Sequence, residues 1–403
     1  MTKVAIIGGG PAGLMAGILL ARSGVACVLI ERQHWPIDKV CGEGIMPIGV
    51  DVMKRAGLLE RIDPGRMRAF GGVRYVDSGG ARAEGRFRGQ PGLVVRRLAL
   101  SEALFGLAQE EPLLELRAGT ELARLELMPD SVSITTRALD GTRREAEECY
   151  DYLVGADGLH SKVRRLAGRD GGRERAPGKQ PGRMGARVHY AIKPWDDLVQ
   201  VWWEDGIECY VASSGENCVE VNFGWDQDRV QPRKVDGLSV SLEEGLFRFF
   251  PELHARVRGA ERTSPMRSWG PLPQRATTHL EGRIALIGDA GLFYDAITGE
   301  GISLAFLQAE LLAETLSEWH TQAGRKRFEE GIEELASLYI QVTDFAMFFT
   351  RHPRLRSLMI KLLARSPELF GHMLHANMGE VALVGPAIRH GIRAILRPVR
   401  KSS

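Results

Sequence analysis

The chain contains 403 residues, of which 44% are apolar and 26% are charged, proportions typical of globular proteins rather than of disordered or fibrous ones. A chain of this length is too long to fold around one hydrophobic core, so it predicts two or three subdomains. The net charge of +2 excludes a protein that binds nucleic acid through its bulk charge. Five scattered cysteines, with no CxxC pair and no metal-ligand spacing, predict reduced thiols in a cytoplasmic protein without a bound metal.

The first 31 residues have the pattern of a nucleotide-binding unit. Residues 3–8 predict a buried parallel strand and Pro11–Arg22 predicts a helix, with glycines at positions 8, 10 and 13 around the turn. This G-x-G-x-x-G spacing permits a tight turn and brings N–H groups at the helix start close to a pyrophosphate. A second strand, Val25–Ile30, ends in Glu31, where a carboxylate binds ribose hydroxyls. The pattern predicts a dinucleotide site.

Two later segments repeat the order of strand and glycine turn. Residues 150–155 predict a strand that leads into an Asp-Gly pair at 157–158, and residues 282–287 predict one that leads into a Gly-Asp pair at 288–289. Shortly afterwards Thr-Gly-Glu-Gly at 298–301 opens a predicted helix, whose first N–H groups are suited to a group that becomes negative on reduction. Three such turns in one chain predict contacts with a single cofactor.

The middle of the chain has the alternation of antiparallel strands. Residues 187–192, 198–204, 207–213 and 218–224 alternate in strand fashion with turn signals between them. An earlier hairpin, Gly72–Asp77 with 81–87, is expected to join the same sheet. Aromatic side chains are frequent here, and although many of them would simply pack the sheet, the region is expected to line an apolar pocket. The candidate pocket residues are His189, Tyr190, Trp202 and Tyr210.

The turns at 157–158 and 288–289 resemble the DG and GD motifs of FAD-dependent aromatic hydroxylases. The chain is identified as a member of the superfamily of FAD-dependent monooxygenases and geranylgeranyl-reductase-like flavoproteins. The resemblance implies FAD as the cofactor and NAD(P)H as the reductant. It implies that Asp157 lies near the flavin pyrophosphate, that Asp289 lies against the ribityl chain, and that an arginine at a helix start lies beside the flavin. Arg97 is assigned to that role, and the adjacent Arg96 is the alternative.

The predicted cofactor contacts combine the glycine turns with the residues that the resemblance adds. They are Gly8, Gly10, Pro11, Ala12, Gly13, Glu31, Arg32, Cys41, Gly42, Arg97, Leu122, Asp157, Gly158, Gly288, Asp289, Gly299, Glu300, Gly301 and Ile302. The sequence indicates no particular catalytic acid or base.

One loop, residues 39–44 with the sequence Lys-Val-Cys-Gly-Glu-Gly, discriminates best between branches of this superfamily. It is similar to the Cys-Gly loop of geranylgeranyl-reductase-like flavoproteins. The aromatic Tyr-x-Trp-x-Phe-Pro strand of those reductases keeps only Tyr210 here, and the Trp-x-Trp-x-Ile-Pro motif of flavin-dependent halogenases is absent. Halogenation is therefore disfavoured.

The motifs predict a mixed α/β fold with three parts. A Rossmann-like FAD/NAD(P)-binding domain is expected to be interrupted by an antiparallel β-sheet domain that binds the substrate, and a helical C-terminal region follows. The expected ranges are 1–71, 92–178 and 270–320 for the discontinuous FAD-binding domain, 72–91 and 179–269 for the substrate domain, and 321–403 for the helical region. The Gly/Arg/Pro-rich stretch 168–183 is expected to be a surface connection.

The C-terminal region is strongly basic. From Arg351 to the end there are ten Lys and Arg residues and two acidic ones. Basic amphipathic helices of this kind either cap the flavin domain with their charges in water or lie on an anionic membrane. A cytoplasmic protein is expected, with peripheral membrane contact through these helices as the alternative.

The resemblance implies an FAD-dependent, NAD(P)H-using monooxygenase that acts on a hydrophobic aromatic, polyketide or isoprenoid-like small molecule. One alternative is a reductase that saturates prenyl carbon–carbon double bonds, favoured by the loop at 39–44 and the segment at 298–301. A second alternative is a non-enzymatic lipid-binding escort with the same fold, in which the flavin motifs would be expected to decay.

Overall fold

A computed structural model describes residues 2–171, 182–235, 238–272 and 274–378 of the chain. Its ten α-helices are, in chain order, α1 Pro11–Arg22, α2 Pro47–Arg55, α3 Arg97–Gln109, α4 Lys162–Leu166, α5 Leu242–Phe247, α6 Pro251–Val257, α7 Gly301–Thr315, α8 Gln322–Arg351, α9 Pro353–Arg365 and α10 Pro367–Asn377. None of the helices in these ranges combines the length and the apolar character needed to cross a bilayer.

The same ranges contain 24 strands. The first twelve are β1 Lys3–Ile7, β2 Ala26–Ile30, β3 Gly44–Ile45, β4 Met67–Phe70, β5 Gly72–Asp77, β6 Arg82–Arg86, β7 Gly92–Val95, β8 Leu114–Arg117, β9 Thr120–Leu127, β10 Val132–Ala138, β11 Glu145–Tyr150 and β12 Tyr152–Gly155. The others are β13 Arg183–Ala191, β14 Val199–Glu204, β15 Ile207–Gly215, β16 Cys218–Asp226, β17 Lys234–Val235, β18 Leu238–Ser239, β19 Glu261–Arg262, β20 Arg267–Leu272, β21 Gln274–Arg275, β22 Leu280–Glu281, β23 Ile284–Leu286 and β24 Leu292–Phe293.

A six-stranded sheet in the order β22-β23-β12-β1-β2-β8 forms the centre of the nucleotide-binding part. Strands β1, β2, β8, β12 and β23 are parallel, and their buried, apolar side chains point to both faces. Helices α1, α3 and α7 pack on one face, and the β9–β11 sheet packs on the other. This arrangement confirms the predicted Rossmann-like, mixed α/β class.

A second, larger sheet has the order β19-β13-β16-β15-β14-β5-β6, with β20 also paired to β13. Strands β13 to β16 form antiparallel pairs, and the hairpin β5–β6 joins them through a parallel pairing of β5 with β14, so the hairpin belongs to this sheet as predicted. Side chains alternate between two buried faces. One face packs against α5 and α6, two helices that the sequence pattern did not reveal, and the other faces an internal cavity.

The C-terminal helices close the cavity from the side of β5 and β6. Helix α8 packs against α7, while α9 and α10 pack on the β5–β6 hairpin. The close approach of α10 requires Gly85 in β6, because a Cβ there would lie 2.7 Å from the ring of Phe370. The buried Arg356 of α9 donates to Asp77 of β5 at 2.8 Å and to the Glu204 carbonyl at 3.1 Å. Of the predicted helical region, residues 379–403 lie outside the described part.

The stretch 168–183 is a connection only in part. Arg183 is the first residue of β13, and Asp170 forms a bridge with Ala276, while residues 172–181 lie outside the described ranges.

A buried charge cluster joins the larger sheet to the loop that precedes α7. Arg183 donates to Asp295 at 2.6 Å and to Asp226 at 3.1 Å, and it also pairs with Glu208. Arg351 of α8 lies 3.7 Å from the second oxygen of Asp226. Burial, together with the nearby Asp295 and Asp226 carboxylates, raises the pKa of Glu208 to about 8 against the attraction of Arg183. The fold therefore favours the protonated form of Glu208 more than water does.

This cluster predicts a pH-dependent stability. Between an ordinary carboxyl pKa of 4.5 and about 8, the folded state keeps a proton on Glu208 that the unfolded chain has lost. The free energy of unfolding should therefore fall as the pH rises through this window. Glu208→Gln, which imitates the protonated acid, should flatten that fall in urea titrations performed at a series of pH values. Glu126→Gln, at an exposed position of β9, is the control, and an unaltered pH dependence in Glu208→Gln would contradict the assignment.

The Arg356–Asp77 pair predicts a large loss of stability on removal of the cation. Arg356→Met leaves the Asp77 carboxylate buried without its partner, and the free energy of unfolding should fall by about 3–5 kcal/mol. Adding Asp77→Asn should restore part of that loss. Arg82→Met, which removes an exposed pair with Glu252, should cost at most about 1 kcal/mol. Equal effects of the two arginine substitutions in chemical denaturation would show that the buried pair does not anchor α9.

Candidate functional site

A large cavity lies between the glycine turns of the six-stranded sheet, the open face of the larger sheet and the C-terminal helices. All three predicted turn regions reach it, although they are far apart in the chain. The predicted cofactor residues that line it are Gly10, Pro11, Ala12, Cys41, Gly42, Arg97, Gly158, Gly288, Asp289, Gly299, Glu300, Gly301 and Ile302. Gly8, Gly13, Glu31 and Asp157 lie just behind this wall, within or next to the same turns.

The turn before α1 forms an open cradle for an anion. Gly8 has φ +107°, and a Cβ on Gly13 would lie 1.9 Å from the Gly8 carbonyl oxygen, so glycine is required at both positions. The space beside Gly10 is open, because a Cβ there would meet no atom within 4 Å. Gly10 precedes the first residue of α1, and because it has no side chain, no side-chain oxygen caps the helix. The first N–H groups of α1 are therefore free to bind a phosphate group, as a dinucleotide requires.

Glu31 ends β2 beside this cradle. Its carboxylate accepts hydrogen bonds from Gly9 N at 2.6 Å and from Gln33 N at 2.9 Å, so it holds the turn where a ribose would lie. Arg32 is exposed on the surface, and Leu122 is buried between the six-stranded sheet and the β9–β11 sheet. Neither of these two residues lines the cavity.

The two acid–glycine turns are connected to each other. The Asp157 carboxylate accepts from the backbone N of Lys162 at 2.6 Å and of Val163 at 3.1 Å, and it also accepts from the hydroxyl of Ser161, so it stabilises the start of α4. Arg164, which is buried, donates to the carbonyl of Ala290 at 2.8 Å. The DG turn and the GD turn are therefore fixed relative to one another.

Asp289 and Lys39 form an ion pair at the cavity wall. Lys39 Nζ lies 3.4 Å from the Asp289 carboxylate, and both side chains are partly exposed. Lys39 is also close enough to Gly158 that a Cβ there would lie 2.5 Å from its ammonium group. The lysine comes from the loop at 39–44, so a positive charge lies between the DG and GD turns.

The side chain of Arg97 presents unpaired donors at the cavity wall. It is buried at the start of α3 and lines the cavity, yet its Nε and Nη1 atoms have no hydrogen-bond partner in the described ranges. Unpaired buried guanidinium donors are costly unless a ligand satisfies them. The neighbouring Arg96 instead donates to Cys218 Sγ at 2.9 Å. The open helix start fits the phosphates of FAD, and the unpaired Arg97 donors fit a polar group of the same cofactor.

Glu43 links the loop at 39–44 to the rest of the cavity wall. It is 1% exposed and has φ +36°, an uncommon conformation for a residue other than glycine. Its Oε1 accepts from Arg97 N at 2.8 Å and from Arg187 at 3.2 Å, and its Oε2 lies 3.1 Å from His189 Nε2. Arg187 also donates to Asp38 at 2.8 Å. The sequence analysis did not single out either Glu43 or Arg187.

Glu220 lies beside Glu43 and His189. Both of its carboxylate oxygens are buried. Burial first, and the Glu43 carboxylate second, raise the pKa of Glu220 well above its ordinary value. One ligand atom from each of Glu43, His189 and Glu220 lies within 4.8 Å of the other two, a spacing that also suits a metal ion. The ion pair with Arg187 and the bond to Arg97 N already occupy Glu43, so the geometry does not require a metal.

The substrate candidates divide between the two faces of the larger sheet. Tyr210 lines the cavity, and His189 lies on the same face, where its Nδ1 is 2.9 Å from Ser264 Oγ and its Nε2 faces Glu43. Tyr190 and Trp202 point to the opposite face and pack with α5 and α6. Tyr190 donates to Glu243 at 2.5 Å, and Trp202 donates to Gln200 at 3.0 Å. These two side chains therefore do not line the cavity.

The rest of the cavity wall is apolar and comes largely from helices that the sequence analysis treated as a cap. Their cavity-lining side chains are Phe345 and Phe349 of α8, Met359 of α9, and Phe370, Met373 and Leu374 of α10. Facing them on the sheet are Tyr75, Val201, Trp203 and Tyr210. The cofactor cradle therefore opens directly into an apolar chamber.

A family model described as "FAD binding domain" matches residues 1–346. The chain is 29% identical over 304 residues to 3-amino-4-hydroxybenzoate 2-monooxygenase of Streptomyces cremeus, which covers 72% of both chains. It is 26% identical to the chloroplastic geranylgeranyl diphosphate reductase of Arabidopsis thaliana, over 82% of this chain and 68% of that one. The flavin-dependent brominase Bmp2 superposes with a TM-score of 0.80 at 19% identity, covering 98% of this chain and 99% of the other.

The similarity to the brominase supports the fold alone, because the identity is low. The family match, in contrast, spans most of the chain and includes all three glycine turns. It agrees with the cradle at α1 and with the unpaired donors of Arg97. The protein therefore belongs to the FAD-binding family and is an FAD-dependent oxidoreductase, as its sequence motifs predict.

Proposed function

We propose that the protein is an NAD(P)H-using monooxygenase that inserts one oxygen atom into a hydrophobic aromatic, polyketide or isoprenoid-like small molecule. The observation that carries the apolar character of the substrate is the chamber of aromatic and methionine side chains that opens directly onto the cofactor cradle. The relative from S. cremeus, named as a monooxygenase of an aminohydroxybenzoate, supports the reaction class. In the overall reaction, NAD(P)H supplies two electrons, one atom of O₂ enters the substrate and the other leaves as water.

Bound FAD would supply the chemistry that moves electrons from the nicotinamide to oxygen. The protein's own residues would bind and orient it: the start of α1 would hold its phosphates, Arg97 would donate to it beside the flavin, and Glu31 would lie at the ribose. The first N–H groups of α7, at residues 301–302, are suited to the end of the ring system that gains negative charge on reduction. Phe345 and Phe349, with the other apolar side chains of the C-terminal helices, exclude water from the chamber.

The principal alternative is a reductase that saturates prenyl double bonds. Cys41 and Gly42 of the reductase-like loop do line the cavity, and a geranylgeranyl diphosphate reductase is among the relatives. Burial raises the pKa of the Cys41 thiol above its ordinary value, which favours the neutral thiol over the reactive thiolate. The chamber is apolar enough for either substrate class, so the fate of oxygen distinguishes the two reactions.

Oxygen labelling tests the proposal directly. The full chain loaded with FAD should oxidise NADPH or NADH faster when a phenolic substrate such as 1-naphthol, alizarin or a geranylated hydroquinone is added. With ¹⁸O₂, the product should gain one ¹⁸O atom, as measured by mass spectrometry. A product that gains two hydrogens and no label would instead establish the reductase. If no preparation of the protein binds FAD, only the non-enzymatic lipid-binding escort remains as an interpretation.

Arg97 should contribute more to FAD affinity than Arg96. Because two buried donors of Arg97 have no protein partner, Arg97→Met should raise the FAD dissociation constant by about 10- to 100-fold in a flavin fluorescence titration. Arg97→Lys should give an intermediate value, since it keeps the charge but loses the forked geometry. Arg96→Met is the matched control, because Arg96 already donates a hydrogen bond to Cys218. An equal or larger effect in Arg96→Met would transfer the role to Arg96.

A further inference from the structure

Helix α9 has three distinct stripes of side chains. Arg356, Ile360 and Leu363 are buried against the protein. Leu355, Leu358 and Leu362 form a second stripe and are 46%, 65% and 55% exposed. Arg354, Lys361 and Arg365 form a third, fully outward stripe next to the leucines, as a rotation of 100° per residue requires. The helix therefore has one side buried against the protein and, on its exposed side, an apolar stripe bordered by cations.

Four of the nine exposed leucines in the described ranges lie at this one place. Leu355, Leu358, Leu362 and the nearby Leu369 of α10, which is 41% exposed, lie within 15 residues of one another in the chain. A contiguous apolar surface on a protein indicates a partner or a membrane, whereas single exposed leucines need no explanation. The question is therefore which partner covers this stripe.

The neighbouring charges select the partner. In the described ranges, Arg354, Lys361 and Arg365 form no ion pair, whereas Arg55 and Arg61 elsewhere on the surface pair with Glu310 and Glu110. Helix α9 contains no acidic residue. The chain beyond residue 378 adds five more Lys and Arg residues and only one acid, so it increases the positive charge of this end of the protein. Apolar side chains beside an unpaired row of cations fit an anionic lipid surface.

We propose that α9 lies flat on an anionic membrane, with its leucine stripe in the acyl boundary and its basic stripe at the lipid head groups. The opposite side of the same helix pair faces the chamber, through Met359 of α9 and Phe370 and Met373 of α10. The docking surface and the chamber wall are therefore the two sides of the layer that α9 and α10 form. If the proposed function holds, this arrangement places the chamber next to the phase in which an apolar substrate dissolves.

Vesicle sedimentation with the full, FAD-loaded chain tests the docking surface without any substrate. The protein should bind phosphatidylcholine vesicles that contain phosphatidylglycerol, bind pure phosphatidylcholine vesicles far more weakly, and dissociate as the salt concentration rises. Leu358→Glu should weaken binding to the anionic vesicles by about ten-fold or more. Leu238→Glu is the matched control, because Leu238 is 71% exposed on β18 and lies outside the stripe. FAD content should remain unchanged in both variants.

Two further results would overturn the proposal. A chain ending at residue 378 should keep binding that depends on Leu358; if this truncation abolishes binding while Leu358→Glu in the full chain does not, the basic tail alone would be responsible. If Leu358→Glu changes the molar mass in light scattering but not the vesicle binding, the stripe would contact a second copy of the chain. Neither result depends on oxygen transfer, so the docking proposal and the proposed function can fail separately.

Discussion

The carboxylate of Glu43 is the contact on which the geometry of the cavity depends. It joins three parts that are distant in the chain: the loop at 39–44, the start of α3 through the N–H of Arg97, and the larger sheet through Arg187 and His189. Because these groups are buried, the charge-assisted bonds are not weakened by competing water. Glu43 itself has a positive φ, a strain of about 1–3 kcal/mol that such contacts offset. The cofactor cradle and the substrate wall therefore have one fixed relation.

Neighbouring residues of the larger sheet have opposite roles because side chains alternate between its faces. Tyr210 lines the chamber, whereas Cys209 is buried among the residues that face α5 and α6; Trp203 and Trp202 divide in the same way. Sequence alternation identifies a strand, but it shows which face is the inner one only when the other face is polar. Here helices cover one face and the cavity covers the other, so both faces are apolar and aromatic. This is why Tyr190 and Trp202 were reasonable but misplaced candidates for the pocket.

The nucleotide-binding part was accessible from sequence because each of its motifs is local. Helix α1 has the predicted bounds, and the three glycine turns follow short apolar strands whose parallel pairing brings them to one edge. The chamber wall is different in kind, since Phe370 contacts Tyr75, a residue almost 300 positions earlier. The cluster around Arg183 likewise draws its acids from separate strands and from the loop at Asp295. Contacts of this range leave no periodic signal in the chain and emerge only when the sheets and helices pack.

The chamber wall follows the cradle in the chain, and this order has a consequence for how the protein is made. The ribosome releases the turns that cradle FAD, through residue 302, well before it releases Met359 or Phe370, which close the chamber. Domains generally fold in the order of their synthesis, amino-terminal parts first. An interval in which the cradle has formed while one side of the chamber is open is therefore expected during synthesis. A bulky cofactor arriving in that interval is enclosed by the last helices, without any later need to displace them.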